Sequence, residues 1–500
     1  SSAASDVYKR QGLMLGHSFQ KMSTRTSSID GRGFPSPVFD TVGTASEIYN
    51  ASGGISEFAM ESYFGRINLS YLDRYILNVT MRSDGSSRFA PSDRYGYFPS
   101  VSLGWNVSKE SFWKFPQTDL KFRLSYGKTG NQDGIGNYAW QPLMSGGINY
   151  GNNSGMAVTS MGNNKLTWET ADQYDFGFDL GFWNGKLNMI ADIYLKNTNN
   201  LLYSMPLHGT SGFTSITSNI GSMRNYGVEF SINGHLNIGK VNWTSSFNIS
   251  HNKNKLTKLL GDDLLPIGSN RALKVGEELG AFYLFQMDGL YQYDGEVPQP
   301  LYDLGVRAGD VKYHDADNNG IINDNDRVLT GSSNPDFFGG WNNTFKYKGF
   351  QLDVFFTYMY GNDVYAEWAV TATRPGYRMA ITEDVAKNRW TAPGSSDKYP
   401  RAVNTLCGHN SKNSTRFLED GSFIRLRSLT FSYTFPQVML QKICLKGLRL
   451  YVQGDNLLLF SKYSGWDPEV SKNMDPQYFG VDLYGVPPSR SVNFGINLSF

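Results

Sequence analysis

The stretch DADNNGIINDND, residues 315–326, holds the residue types in this chain best suited to gripping a hard cation. Asp315, Asp317 and Asn319 stand at its positions 1, 3 and 5, Gly320 at position 6 and Ile322 at the apolar position 8, and Asp326 closes position 12. A calcium loop of twelve residues needs that order, because oxygen ligands must converge on one ion while glycine makes the sharp turn. The expected ligand set for one Ca2+ is Asp315, Asp317, Asn319, the Ile321 carbonyl and Asp326, with Asn323 acting through a water. Two features separate the stretch from an EF-hand sensor. Its flanks, GDVKYH and RVLTG, are extended in character rather than helical, and Asp326 is one methylene shorter than the usual Glu. Asp, Asn and Gly also favour turns that hold no metal, so an Asx-rich turn is the competing expectation.

Other chemistry is sparse. The chain contains no GxSxG, P-loop or HExxH motif, and it is read as a non-enzyme. Asp175, Asp179, Asp192 and Glu229 alternate with apolar residues, the pattern of a solvated strand face rather than of an acid/base pair. RSDGSSR, residues 82–88, offers Arg82 and Arg88 to an anion, although Ser and Gly turn chemistry explains it equally simply and is preferred. The six histidines form no HxxxH pair, and Cys407 and Cys444 are too few for a disulfide scaffold and lack metal-ligand spacing. Lys plus Arg number 46 against 45 Asp plus Glu; without a basic stripe, that balance argues against nucleic-acid binding.

The elements that must position these residues alternate with period two. Tyr63, Gly65, Ile67, Leu69 and Tyr71 alternate with Phe64, Arg66, Asn68 and Ser70, and Val492, Phe494, Ile496, Leu498 and Phe500 alternate with Asn493, Gly495, Asn497 and Ser499. No run of 18 apolar residues offers a transmembrane helix, but a spanning strand needs only one apolar face. Tight joins (LDR at 72–74, WNGK at 183–186, NIGK at 237–240, KYKG at 346–349, LKG at 445–447) mostly alternate with long ones near 21–57, 129–166, 197–223, 253–336, 361–421 and 457–490. A soluble sandwich has no reason to place every long loop at one end, whereas a transmembrane barrel has short periplasmic turns and long extracellular loops. The fold class expected is therefore all-β, an antiparallel transmembrane β-barrel of about fourteen strands. Tyr71, Tyr75, Trp105, Trp183, Trp243 and Trp341 are expected in its interfacial girdles. AFYLFQMDGLYQ, 281–292, reads as extended but is placed in a long loop. With Cys407 in an outer loop and Cys444 near a periplasmic turn, no bridge between them is expected.

NVTMRSDGSSRFAPSDRYGYFPSVSLGW (78–105), LKFRLSYGKTGNQDGIGNYAW (120–140), NIGSMRNYGVEFSI (219–232), FLEDGSFIRLRSLTFSYTFP (417–436) and YVQGDNLLLFSKYSGWDPEV (451–470) resemble SusC/RagA-type TonB-dependent outer-membrane transporters. The terminal RSVNFGINLSF, ending on Phe500, is similar too. The resemblance implies a 22-stranded barrel around a plug, of which this sequence would hold the last fourteen or so strands. The first eight strands, the plug and the TonB box would then lie outside it. Residues 1–11, SSAASDVYKRQ, look like a non-native or fragment end, and 12–500 like the C-terminal barrel part. The resemblance further implies the outer membrane of a Gram-negative, Bacteroidetes-like bacterium. It implies a SusD-like surface lipoprotein as partner, and the TonB complex acting through the missing N-terminal region. The cargo would be oligosaccharides or, in some members, peptides. Active glycan import is the leading expectation; a surface adhesion module that binds glycan and calcium, and a passive porin, are the alternatives.

Overall fold

The computed structural model describes residues 9–151, 153–261, 264–376, 379–403, 408–440, 445–472 and 478–500. Two compact units divide the chain. Ser1–Ser111, Phe122–Phe176 and Leu195–Met223 make the first; Phe112–Lys121, Gly177–Tyr194 and Arg224–Phe500 make the second.

In the first unit Lys9–Arg32, Glu47–Tyr71, Tyr75–Ser86 and Tyr95–Asn106 pair antiparallel in chain order. Leu72 and Asp73 both take positive φ, and the Arg74 N–H closes their turn on the Tyr71 carbonyl at 3.0 Å. Two such residues match the right-handed twist of the strands they join. Large apolar side chains on one face stand exposed, among them Leu13, Leu15 and Phe19 on one strand and Val101, Leu103 and Trp105 on another. Arg66, Asn68, Asn78, Thr80, Ser100 and Ser102 line a cleft of about 510 Å3 on the opposite, polar face. At the tight-turn end Glu110 accepts from the Tyr75 hydroxyl (2.6 Å) and the Trp105 indole (3.1 Å) and pairs with Arg74 at 3.2 Å. Two of the aromatics expected in the girdle, Tyr75 and Trp105, are thus held by one carboxylate.

The second unit repeats the plan with Val241–Leu259, Phe337–Tyr347, Phe350–Tyr360, Phe423–Thr434, Gly447–Ser461 and Ser491–Ser499 in ladder order. Lys348 and Gly349 turn the second pair at positive φ. A Cβ on Gly349 would meet the Thr434 carbonyl at 2.7 Å, so this turn admits only glycine. Val492, Phe494 and Ile496 are exposed, Phe494 by 82%, whereas Asp353, Arg449, Gln453 and Asn497 line a polar cleft.

Expected connections turn out to be strand in two places. The join at 21–57 narrows to 33–46, because pairing runs up to Arg32 opposite Glu47, and the join at 197–223 narrows to 207–214 between Leu187–Pro206 and Ser215–Ile238. Backbone pairing persists there after the apolar alternation has stopped. A 24-residue strand is more than twice the 9–11 residues that cross a bilayer. Its outer part therefore has no apolar face to betray it. Lys9–Gln11, assigned from sequence to the fragment end, pair with Leu69–Tyr71.

The long connections of the second unit fold on one another. AFYLFQMDGLYQ becomes two short strands: Ala281–Phe285 pairs with Arg327–Ser332, and Met287–Leu290 with Val311–Tyr313. Asp363–Ala366 lies between Leu418–Asp420 and Val481–Asp482, joining segments more than fifty residues apart. Phe282, Leu284, Val364, Tyr365, Phe417 and Val481 are buried together there. Arg425, on the strand Phe423–Thr434, meets Asp467 at 2.6 Å with both side chains almost wholly buried. Removing one member of a buried pair costs up to about 3–5 kcal/mol, and here Arg425 would keep only Glu469, at 3.0 Å, as a counter-charge. Asp467→Ala is therefore expected to expose the 462–490 connection to protease while the ladders survive; cleavage mapped by mass spectrometry at the wild-type rate would contradict this.

Candidate functional site

The acidic loop hangs between the strands Val311–Tyr313 and Arg327–Ser332 of the second unit. Val311 and Tyr313 are buried with Phe285, Leu290, Leu301 and Val306. Ile322, the apolar position 8, enters the same cluster and anchors the loop from its far side. Asn318 and Gly320 take positive φ and make the sharp turn. Nothing crowds Gly320 closer than Pro300 at 3.8 Å, so conformation rather than space calls for glycine there.

This frame brings one carboxylate oxygen each of Asp315, Asp317 and Asp326 within 4.8 Å of one another. Asp326, fully buried, accepts from the Ala316 N–H at 2.9 Å and from the Asn323 N–H at 2.7 Å. Asn323 accepts in turn from the Asn325 N–H, which completes a capping box over 324–326. Asp315 accepts from the N–H groups of Gly320 (2.6 Å) and Asn319 (3.2 Å). The Gly320 N–H is the main reason its pKa falls below the ordinary 3.8, despite some desolvation. The stability linked to Asp315 is thus complete above 3.8 and is lost as pH falls through the depressed value. Asn319 donates to Asp317 at 2.8 Å and accepts from the Ile321 N–H at 2.8 Å, while the Ile321 side chain stays exposed. Three carboxylates converge, then, while the amide oxygens of Asn319 and Asn323 bond loop N–H groups. A carboxylate oxygen has lone pairs for both an N–H and a cation, so the donor set fits a hard ion such as Ca2+.

Several contacts here lay beyond the sequence reading. Asp310, buried, takes a two-pronged bond from Arg401 (2.9 and 2.9 Å) and another from Asn410 at 2.8 Å. These partners lie 91 and 100 residues away, a separation that leaves no local signature. In the first unit the anion reading of RSDGSSR loses its donors to the protein. Arg82 pairs with Asp84 at 2.7 Å and donates to Ser62, and Arg88 bonds Asn137 and the Gln132 carbonyl across the Phe58 ring. Trp368 donates to Tyr463 at 3.1 Å and packs on the buried cluster around Tyr365. Cys407 and Cys444 lie outside the described residues.

Comparison with known proteins bears on these ladders directly. The family model for TonB dependent receptor-like β-barrels matches residues 4–457. The chain belongs to the TonB-dependent receptor β-barrel family. Its all-β antiparallel architecture is the barrel fold of that family. A TonB-dependent receptor of Formosa agariphila is 33% identical over 98% of this chain and 50% of its own length. The TonB-dependent receptor SusC of Bacteroides thetaiotaomicron is 31% identical over 88% of this chain and 43% of its own. A solved structure of the RagAB peptide transporter superposes with a TM-score of 0.86 at 25% identity, covering 99% of this chain and 54% of that one. These similarities place the chain with SusC/RagA-type TonB-dependent transporters. It spans about half the length of the curated relatives it matches.

The geometry of the acidic loop carries its own consequence. Asp326→Ala removes the acceptor of two backbone N–H groups in a buried setting, a loss of about 1–3 kcal/mol. Amide exchange across 315–326 is expected to accelerate about tenfold or more; exchange at the wild-type rate would show that Asp326 does not hold the loop.

Proposed function

We propose that this chain is the C-terminal barrel part of a TonB-dependent importer in the outer membrane of a Gram-negative, Bacteroidetes-like bacterium. Its cargo on this reading is an oligosaccharide. The full-length protein takes energy from the TonB complex and works with a SusD-like surface lipoprotein over the barrel mouth. The observation that carries this reading is the two-faced strand. Exposed Leu13, Leu15, Val101, Leu103, Phe494 and Ile496 suit acyl chains on one side, and clefts of Asn, Ser, Thr and Gln with Arg66, Asp353 and Arg449 suit a polar, hydroxyl-rich solute on the other. A passive pore would need the same strands, so energy coupling is the deciding test. Uptake of labelled oligosaccharide by cells carrying the full-length protein is expected to stop when TonB is deleted; undiminished uptake would favour the porin reading. Peptide import is the second reading, supported by the similarity to the RagAB peptide transporter. Labelled peptides entering in place of oligosaccharides in the same assay would establish it.

We further propose that the loop 315–326 takes one structural Ca2+ through Asp315, Asp317 and Asp326, with Asn319, the Ile321 carbonyl and Asn323 completing the set. The support is the convergence of the three carboxylates on a frame anchored by Ile322. The ion would stiffen a surface connection and carry no signal, since the flanking elements are strands with no helix pair to open. Calorimetric titration is expected to give a dissociation constant of about 10−4–10−3 M, as in extracellular modules. Heat no greater than that of an Asp315→Ala variant would refute the site.

A further inference from the structure

One cation of the protein's own already stands against the acidic loop. Lys412 follows the short helical turn Gly408–Ser411, and its ammonium donates to the Ile322 carbonyl at 3.4 Å. On its other side the ammonium lies over the Phe285 ring, 4.6 Å from the centroid. Ile322 directly follows Ile321, whose carbonyl is a ligand in the calcium reading, so one peptide separates the two carbonyls.

The segment carrying Lys412 is pinned to the strand that leads into the loop. His409 Nε2 donates to the Val311 carbonyl at 2.8 Å, and Asn410 accepts from the Val311 N–H at 2.8 Å. The Tyr313 hydroxyl donates to the His409 carbonyl at 2.7 Å. The ammonium is therefore delivered by a rigid frame from 90 residues away.

Nearby charges leave this cation uncompensated. Arg327, the other cation beside the loop, pairs with Asp324 at 3.0 Å. Among the described residues no carboxylate forms an ion pair with Lys412, whose partners are a carbonyl and a ring. Burial lowers its pKa from 10.5, while the charges of Asp324 and Asp326 favour the protonated form. Asp326 is one of the three carboxylates that converge, so Lys412 acts on the cluster at short range without touching it.

We propose that Lys412 is a built-in counter-cation of the acidic loop, which weakens its hold on an external ion and so sets its affinity. The inference rests on the calcium reading above and adds the residue that tunes it. Two effects point the same way. The ammonium offsets carboxylate charge that a bound ion would otherwise offset, and it repels a cation arriving beside Ile321. Both are Coulomb terms in a partly buried setting, where salt screens little, and both grow in proportion to the charge of the ion. Weak extracellular calcium modules differ from tight buffers in just this respect, the net charge and rigidity of the site.

The test is calorimetric titration of the purified full-length protein with Ca2+ and, separately, with the trivalent Tb3+. Lys412→Met and Lys412→Gln are each expected to tighten Ca2+ about tenfold and Tb3+ about thirtyfold, since the effect scales with ion charge. Gln keeps a donor for the Ile322 carbonyl, so the two variants together separate charge from hydrogen bonding. Lys412→Arg, which keeps the charge, should stay within about twofold of the wild type. Lys387→Met, which removes an exposed lysine paired with Glu383, should leave both ions unchanged. Affinity that is unaltered or weaker in both neutral variants, or gains of equal size for the two ions, would overturn the proposal and leave the calcium reading standing. Binding by the neutral variants but not by the wild type would sustain the role of Lys412 and refute a structural Ca2+ in the native loop. No binding by any of these proteins would refute both.

Discussion

The long strands meet much of their backbone hydrogen-bonding need through the ladders they form with neighbouring strands, and everything else in the structure hangs on that pairing. Because side chains alternate, a slip of one residue would carry every apolar side chain to the polar face. The register from Lys9 opposite Tyr71 to Asp30 opposite Asn50, broken only by the irregularity at Gly31, keeps Leu13, Leu15 and Phe19 on one side throughout. In the second unit the pairing of Gly447 with Ser499 up to Asp455 with Ser491 does the same for Val492, Phe494 and Ile496. One surface can then meet hydrocarbon while the other meets water.

The connections of the second unit follow a different rule. Where the next segment in sequence supplies no ladder partner, they bury apolar residues on one another and close the polar gaps with charge. Asp310 with Arg401 and Asn410, and Arg425 with Asp467, each tie together segments far apart in the chain. The acidic loop depends on this packing. Its carboxylates converge because Tyr313 and Ile322 are held in the cluster beneath them, and its turn is closed by its own N–H groups.

Legibility followed the range of the interactions. The strand Phe337–Tyr347 could be read to the residue, since its alternation and its KYKG turn are both local. Arg32 opposite Glu47 could not, because polar residues on both faces erase the period while the pairing goes on. Val364, Tyr365 and Ala366 offered no period either, being buried on both faces of a small sheet. In the acidic loop Asp315, Asp317, Gly320 and Asp326 were legible by spacing, whereas the engagement of Asn319 and Asn323 with backbone N–H groups was not.

By itself the amino-acid sequence determined which residues share a face, where the tight turns fall and which carboxylates stand at cation-loop spacing, because all three are set within a few residues of chain. Tertiary structure alone decided how far the ladders run and that distant connections build a common buried cluster. It also decided that Lys412 meets the Ile322 carbonyl of the acidic loop. Those outcomes depend on contacts between segments tens to hundreds of residues apart, and no local periodicity records which of them will meet.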